Sequence, residues 1–298
     1  MQRYKSFVLP IALVAGYIFR QLCAMASVLV PYVIFAILFF TFSGVKLSHL
    51  RPTKLDLWIA LFQAVVSFGF YYLVMALTSN EVLAQGAMIC VLCPVASSVT
   101  VVASMLGANS ERTTTYTIVG NLLVALIAPI YICIISEAEG VSLIGSFTQI
   151  FYKIAVVIAL PYFVVLLMQR FLPRVNSRMA RYKGISFYLW AFALLVTIGQ
   201  TADFVVARWQ GGVQDVVWLG VVSLIICVMQ FSTGRIIGAR YSDKVAGGQI
   251  LAQKNSAMGI WIINTFLNPI ASVAMAFYSI WQNVFNSWQI YRQANPKA

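Results

Sequence analysis

A single lysine inside an apolar run is the residue of this chain best placed to do chemistry. Lys254 lies in Gln253-Lys254-Asn255-Ser256, within the hydrophobic stretch 245–267. An ammonium at the centre of a bilayer costs about 2.5 to 3.5 kcal/mol on insertion scales, so it normally faces a partner or a wet cavity rather than lipid. A second polar interruption, Cys93-Pro94-Val95-Ala96-Ser97-Ser98-Val99-Thr100, falls in the apolar stretch 82–106. Pro94 has no N–H and disfavours helix in the residue before it, while the serines and Thr100 can satisfy backbone groups that a break sets free. Both interruptions predict broken membrane helices whose half-helix ends carry partial charges able to hold ions or anionic groups. A proline kink flanked by small packing residues accounts equally well for the first interruption taken alone. Its match to a second one that carries a charge favours the functional account.

For other chemistry the chain is nearly silent. His49 is the single histidine, sits in a basic loop and has no partner at metal spacing; neither paired carboxylates nor a nucleophile triad can be assembled. This predicts no metal site, no cofactor and no enzyme. Cys90-x-x-Cys93 lies in an apolar helix without nearby charge and reads as packing rather than redox chemistry. Asp203, near the outer end of its stretch, is the one acid that could approach a cavity, and a helix-end role is the simpler account. Trp58, Trp209 and Trp288 near stretch ends suit interfacial belts, whereas Trp261 and Trp281 lie nearer mid-helix.

The elements that must position these residues follow from composition. With 61% hydrophobic and 9% charged residues over 298 positions, a soluble fold would lack polar surface, so the chain is predicted to be an all-α polytopic membrane protein. Ten stretches of membrane-crossing length run over 7–22, 28–45, 55–77, 82–106, 116–135, 150–171, 185–206, 216–237, 245–267 and 270–291. Basic residues collect on one side of them: Arg3 and Lys5; Lys46, Arg51 and Lys54; then the run from Arg170 to Lys183, Arg235, Arg240, Lys244, Arg292 and Lys297. By the positive-inside rule both termini are cytoplasmic. The net charge of +12 is thereby a topology signal rather than a nucleic-acid footprint. Arg3 and Lys5 before an apolar stretch, with Ala24-Met25-Ala26 after it, also fit a cleavable signal peptide, which would leave nine spans.

Ten spans divide five plus five at the short acidic loop 137–140, and an odd number per half inverts the second half. The domains expected are a first repeat over 1–139 and a second over 140–298. Inverted repeats with interrupted helices in matching positions are the architecture of many secondary transporters. Here the fourth span of each half, helices 4 and 9 of the whole, is the broken one.

These residues resemble the bile acid:sodium symporter family, including the bacterial homologues of the ileal bile acid transporter. The likeness is densest from Leu92-Cys93-Pro94 to Asn109, in Gln253–Ser256, and in Tyr278-Ser279-Ile280-Trp281-Gln282-Asn283. The resemblance implies a panel domain from helices 1, 2, 6 and 7 and a core domain from helices 3–5 and 8–10, with unwound helices 4 and 9 crossing. It also implies a secondary transporter of organic anions, bile-acid-like or small carboxylates, in a bacterial inner membrane. Carried over by position, Ser97, Ser98, Asn255, Ser256, Gln282 and Asn283 become substrate contacts, and Gln63 a residue of one sodium site.

The departures from that family pattern are informative. A ninth-helix glutamate shared by its two sodium sites is Ile250 here, or Gln249 with one gap. A Ser-Asn pair of ligands reads Val99-Thr100, fifth-helix hydroxyls fall near Val124 and Ala128, and Lys254 takes the place of a glutamine ligand. Sodium needs oxygen ligands, so a site that loses oxygens and gains an ammonium binds it poorly. The expectation is that Lys254 fills the space of a sodium ion, held by Gln63, Gln249, Gln253, unwound carbonyls and crossover hydroxyls such as Thr100. Transport would then be sodium-independent, or proton-linked if the lysine exchanges its proton during the cycle. The bland alternative is a lysine that snorkels or braces the crossover. A conventional sodium symporter with rearranged ligands, and a transporter-derived receptor or scaffold that binds without moving its ligand, are the rival functions; no continuous polar stripe suggests a channel.

Overall fold

The computed structural model describes residues 8–45, 50–96, 98–135, 143–182, 184–208 and 212–295. Ser97, the seam 137–140, and Arg3, Lys5, Lys46, His49, Lys183, Trp209 and Lys297 lie outside the described residues. In chain order the helices are α1 (Val8–Ile18), α2 (Arg20–Ala26), α3 (Val30–Ser43), α4 (Lys54–Thr78), α5 (Glu81–Leu92), α6 (Val99–Met105), α7 (Ser110–Ile135), α8 (Leu143–Phe171), α9 (Pro173–Ala180), α10 (Ile185–Arg208), α11 (Val213–Ala239), α12 (Lys244–Ala252), α13 (Ser256–Phe266) and α14 (Ser272–Ala294). Among the described residues, extended pairing is confined to one isolated bridge.

Among the described residues, six stretches are long and apolar enough to cross a membrane: Arg20–Ser43, Lys54–Thr78, Glu111–Ile135, Ile144–Phe171, Ile185–Ala207 and Val213–Ala239. Their outward faces carry large apolar side chains such as Leu22, Tyr32, Leu77, Tyr152 and Val217, all more than half exposed. Such a surface suits lipid rather than water, and the chain is an integral membrane protein. The other four predicted spans are built from shorter pieces, α1 with the start of α2, α5 with α6 and α12 with α13, or from the more polar α14. One boundary differs from expectation. The gap predicted between residues 22 and 28 is helical: α2 runs to Ala26, and a 3-10 turn over Ser27–Leu29 joins it to α3. The local residues favour this, since Cys23-Ala24-Met25-Ala26 contains good helix formers and the Ser27 hydroxyl donates back to Ala24 O at 2.7 Å.

Helix ends are set by short-range chemistry. Thr53 and Asp56 form a capping box at the start of α4, with Thr53 N 2.6 Å from Asp56 Oδ2. Asn80 caps α5 by accepting from Leu83 N, and Asp243 caps α12 by accepting from Ala246 N, both at 3.0 Å. Ser79, in the left-handed region at φ 51°, turns the chain between α4 and α5.

The chain gathers into two compact units. The first comprises Met1–His49, Ala125–Gly211 and Ile260–Ser272. Within it α10 packs on α1, α2 and α3, and α3 on α8. Gly16 and Gly199 bring α10 close to α1 and α2: a Cβ on Gly16 would lie 3.2 Å from Gly199 N, and one on Gly199 would fall on Cys23 of α2. Polar ties in this unit include Asn176 Nδ2 to Ser43 O at 3.3 Å and a Thr201–Ser272 hydroxyl pair at 2.7 Å.

The second unit comprises Leu50–Val124, Gly212–Gly259 and Val273–Ala298, so α7 and α13 contribute to both units. Its centre is a cluster of Leu55, Ile59, Val95, Val99, Tyr116, Ile250 and Leu251, none with measurable exposure. The packing of α11 on α12 depends on Gly234, Gly238 and Gly247. A Cβ on Gly247 would strike the Gly234 carbonyl oxygen and lie 2.7 Å from Gly238 Cα. Gly69, on α4, has nothing within 4 Å of a Cβ. Gly247→Val is expected to lose at least the 1 to 3 kcal/mol typical of overpacking, roughly, seen as a lower thermal midpoint in detergent. Gly69→Ala is expected to raise the midpoint by about 0.5 to 1 kcal/mol of helix propensity. An unchanged Gly247→Val protein would contradict this packing.

Candidate functional site

The two interruptions meet inside the second unit. Helix α5 stops at Leu92 and α12 at Ala252, and the extended residues beyond each pair as an antiparallel bridge between Val95 and Lys254. Asn255 N donates to Pro94 O at 2.8 Å, and Ala96 N to Gln253 O at 3.1 Å. Proline explains the first stop, since its ring removes a donor and pushes Cys93 to φ −44°, ψ 141°. The second stop has no proline. Gln253 adopts extended angles, φ −81°, ψ 105°, and Asn255 starts the next helix by accepting from Met258 N with Oδ1 at 3.3 Å.

A helix that ends inside a membrane protein leaves carbonyls without intrahelical donors. At the end of α5 each has a named partner. Ile89 O accepts from Cys93 N at 2.8 Å, Cys90 O from Gln230 Nε2 at 3.1 Å, and Val91 O from Lys254 Nζ at 2.8 Å. Gln63 Nε2 donates to both Leu92 O, at 2.6 Å, and Cys93 O, at 3.1 Å. Tyr116 OH donates to Gln63 Oε1 at 3.1 Å and fixes that amide. At the end of α12, Tyr278 OH donates to Ala252 O at 2.7 Å and accepts from Gln230 Nε2 at 2.9 Å.

Lys254 is 1% exposed, and its ammonium lies at the negative end of the α5 dipole. Among the described residues the ion pairs are Arg20–Asp203 and Arg112–Asp243, and Lys254 belongs to neither. Its counter-charge is therefore the carbonyl end of a half-helix, the type of group that coordinates a free cation. The Lys254 backbone is gripped as firmly. Gln282 Oε1 accepts from Lys254 N at 2.8 Å while Gln282 Nε2 donates to Lys254 O at 3.1 Å and to Ser256 Oγ at 3.3 Å. One primary amide thus acts as a third strand beside the bridge.

The residues singled out from sequence divide into groups. Lys254 and Gln63 share the α5 end, but as neighbours and not as partners: both present donors, so each takes its own carbonyl. Gln249 and Gln253 form a second network. Gln253 Nε2 donates to Gln249 Oε1, and Gln249 Nε2 to Gln289 Oε1 at 3.3 Å, an acceptor shared with Arg235 at 3.2 Å. Ser98, exposed, donates to Gln253 Oε1 at 3.5 Å. Thr100 pairs with Thr114 at 3.2 Å. Asn255 and Ser256 are buried in the crossover, whereas Asn283 is exposed and donates to Ser279 O of its own helix at 2.6 Å. Sequence reasoning assigned no role to Gln230, Tyr116 or Gln289, and to Arg235 only a place among the basic residues of one membrane side. Gln230 carried a usable signal, as a lone amide in the apolar run Cys227-Val228-Met229-Gln230-Phe231.

No curated protein matches the chain. The model of the sodium bile acid symporter family matches residues 9–208, a span that holds α1 to α10 and the whole first interruption, while Lys254 lies beyond its end. The match covers most of the chain, and the chain belongs to the sodium bile acid symporter family, whose members are membrane transporters.

Proposed function

We propose that this protein is a secondary transporter of organic anions, bile-acid-like or small carboxylates, in which the ammonium of Lys254 stands in for a sodium ion and makes transport independent of sodium. The observation that carries this reading is the 2.8 Å hydrogen bond from Lys254 Nζ to Val91 O, at the carbonyl end of a helix broken inside the membrane. That end already holds one fixed positive charge. A second cation there would meet like charge at short range in a poorly screened interior.

Two features support the inverted five-plus-five arrangement. Gln63, on the third predicted span and braced by Tyr116 of the fifth, holds the end of one broken helix; Tyr278, on the tenth and braced by Gln230 of the eighth, holds the end of the other, with glutamine and tyrosine exchanged in role and Gln230 also reaching Cys90 O of α5. Alternating access between a panel and a core draws support from the two units: predicted spans 1, 2, 6 and 7 lie in the first, spans 3, 4, 8 and almost all of 10 in the second, while spans 5 and 9, expected in the core, are divided between them. Cytoplasmic termini and a bacterial inner membrane complete the reading. Substrate contacts are assigned to Ser97, Ser98, Asn283 and the crossover residues Asn255 and Ser256; Gln282 acts there through the Lys254 backbone.

Binding is tested by thermal stabilisation of the purified protein with cholate, taurocholate and small carboxylates, each in sodium and in potassium. At a hundredfold excess over Kd a true ligand adds about 2.7 kcal/mol, and the shifts are expected to be equal in both salts. Shifts that need sodium would sink the lysine-for-sodium reading in favour of a conventional symporter; binding without uptake in vesicles would indicate a receptor. Lys254→Met is expected to separate stability from function. The substitution removes the desolvation cost of the ammonium but leaves Val91 O without its donor, a loss of about 1 to 3 kcal/mol, so the thermal midpoint should fall only modestly while uptake falls at least tenfold. Near-normal uptake by Lys254→Met would leave the lysine a structural brace.

A further inference from the structure

The charge held at the crossover cannot leave the protein, and this determines what the membrane potential does to transport. Lys254 is covalently part of the second unit, and its main chain is fixed on both edges, by the Pro94–Ala96 side of the bridge and by Gln282. No carboxylate bonds to the crossover: among the described residues Asp56 is taken by its capping box, Asp243 by Arg112 and the α12 N-terminus, and Asp203 by Arg20. With Lys254 protonated, the crossover carries one formal positive charge, and no carboxylate among the described residues bonds to it. A sodium ion bound at such a site crosses with the substrate and is released. A tethered ammonium crosses with the substrate and must come back.

The geometry points to an electrogenic carrier in which each turnover transfers only the negative charge of the substrate, so that a cytoplasm-negative membrane potential drives monovalent organic anions outward. The inference rests on the transport reading above and adds direction and driving force to it. Charge balance over the cycle gives two results. With an anion bound beside Lys254 the moving site is neutral, and the voltage does no work on its crossing. The empty site is left with its positive charge, so the field acts on the return step. Net transport uses the return step once per cycle, whereas exchange of anion for anion uses only loaded crossings.

The test uses the full chain in sodium-free proteoliposomes with equal pH on both sides, labelled taurocholate as probe, and a potassium diffusion potential set with valinomycin. The sulfonate keeps one negative charge throughout. Net flux is expected to run toward the positive side in either orientation of the protein, approaching a concentration ratio of roughly 50-fold per 100 mV, which is the potential's work per elementary charge expressed as a ratio. Taurocholate–taurocholate exchange is expected to proceed at the same rate with and without the potential. In Lys254→Met, where the loaded site would carry the anion's charge uncompensated, residual exchange should become sensitive to voltage.

Accumulation on the negative side, net flux indifferent to potential, or flux that requires a sodium or pH gradient would each overturn this inference while leaving a transporter. Exchange in the unsubstituted protein that responds to voltage as strongly as net flux would overturn it too. Taurocholate that stabilises the protein but does not move would overturn the transport reading itself, and taurocholate that neither binds nor moves would overturn the bile-acid-like form of that reading. The presence or absence of flux tells the failures apart.

Discussion

The constraint on which this structure depends is that a helix broken within a membrane protein must find donors for the carbonyls it exposes. Water is not there to supply them, and each unpaired polar group costs several kcal/mol, roughly. The α5 end meets this with side chains from three other segments: Gln63 of α4, Gln230 of α11 and Lys254 of the second interruption. The partners are in turn held, Gln63 by Tyr116 and Gln230 by Tyr278. Breaking two helices is therefore what organises the second unit, because satisfying their ends draws in nearly every helix of it.

That the satisfaction uses different chemistry at neighbouring carbonyls is the informative part. Amides would suffice for structure, as Gln63 and Gln230 show. At Val91 the donor is an ammonium, which brings a full charge at the cost of its desolvation. Family membership supplies the context, a lineage named for sodium symport.

Much of this was legible in the residues. Pro94 marks one break through backbone sterics alone, and the polar run Gln253-Lys254-Asn255-Ser256 in an apolar stretch marks the other; both lie where the structure breaks. The helices follow from hydropathy, with the exception of the 22–28 gap, where local helix propensity prevailed over the expected turn. What could not be read was partnership. Whether Lys254 bonds to Gln249 or to a carbonyl depends on how α5, α12 and α14 approach, and spacing along one chain does not encode that. For Gln282 the residue type was noticed while its orientation was not: the side chain turns to the Lys254 backbone, where a primary amide can copy a peptide group.

The bridge between the interruptions also bears on how the protein is made. Val91 waits for a donor 163 positions further along the chain, and Cys90 for one 140 positions on. Synthesis runs from the N-terminus, so α5 is inserted long before either donor exists. During that interval the Cys90 and Val91 carbonyls need other donors, and they are released only when α11 and then the second interruption arrive. The α5 end is completed by residues from the last third of the sequence, so its full set of hydrogen bonds forms late in synthesis.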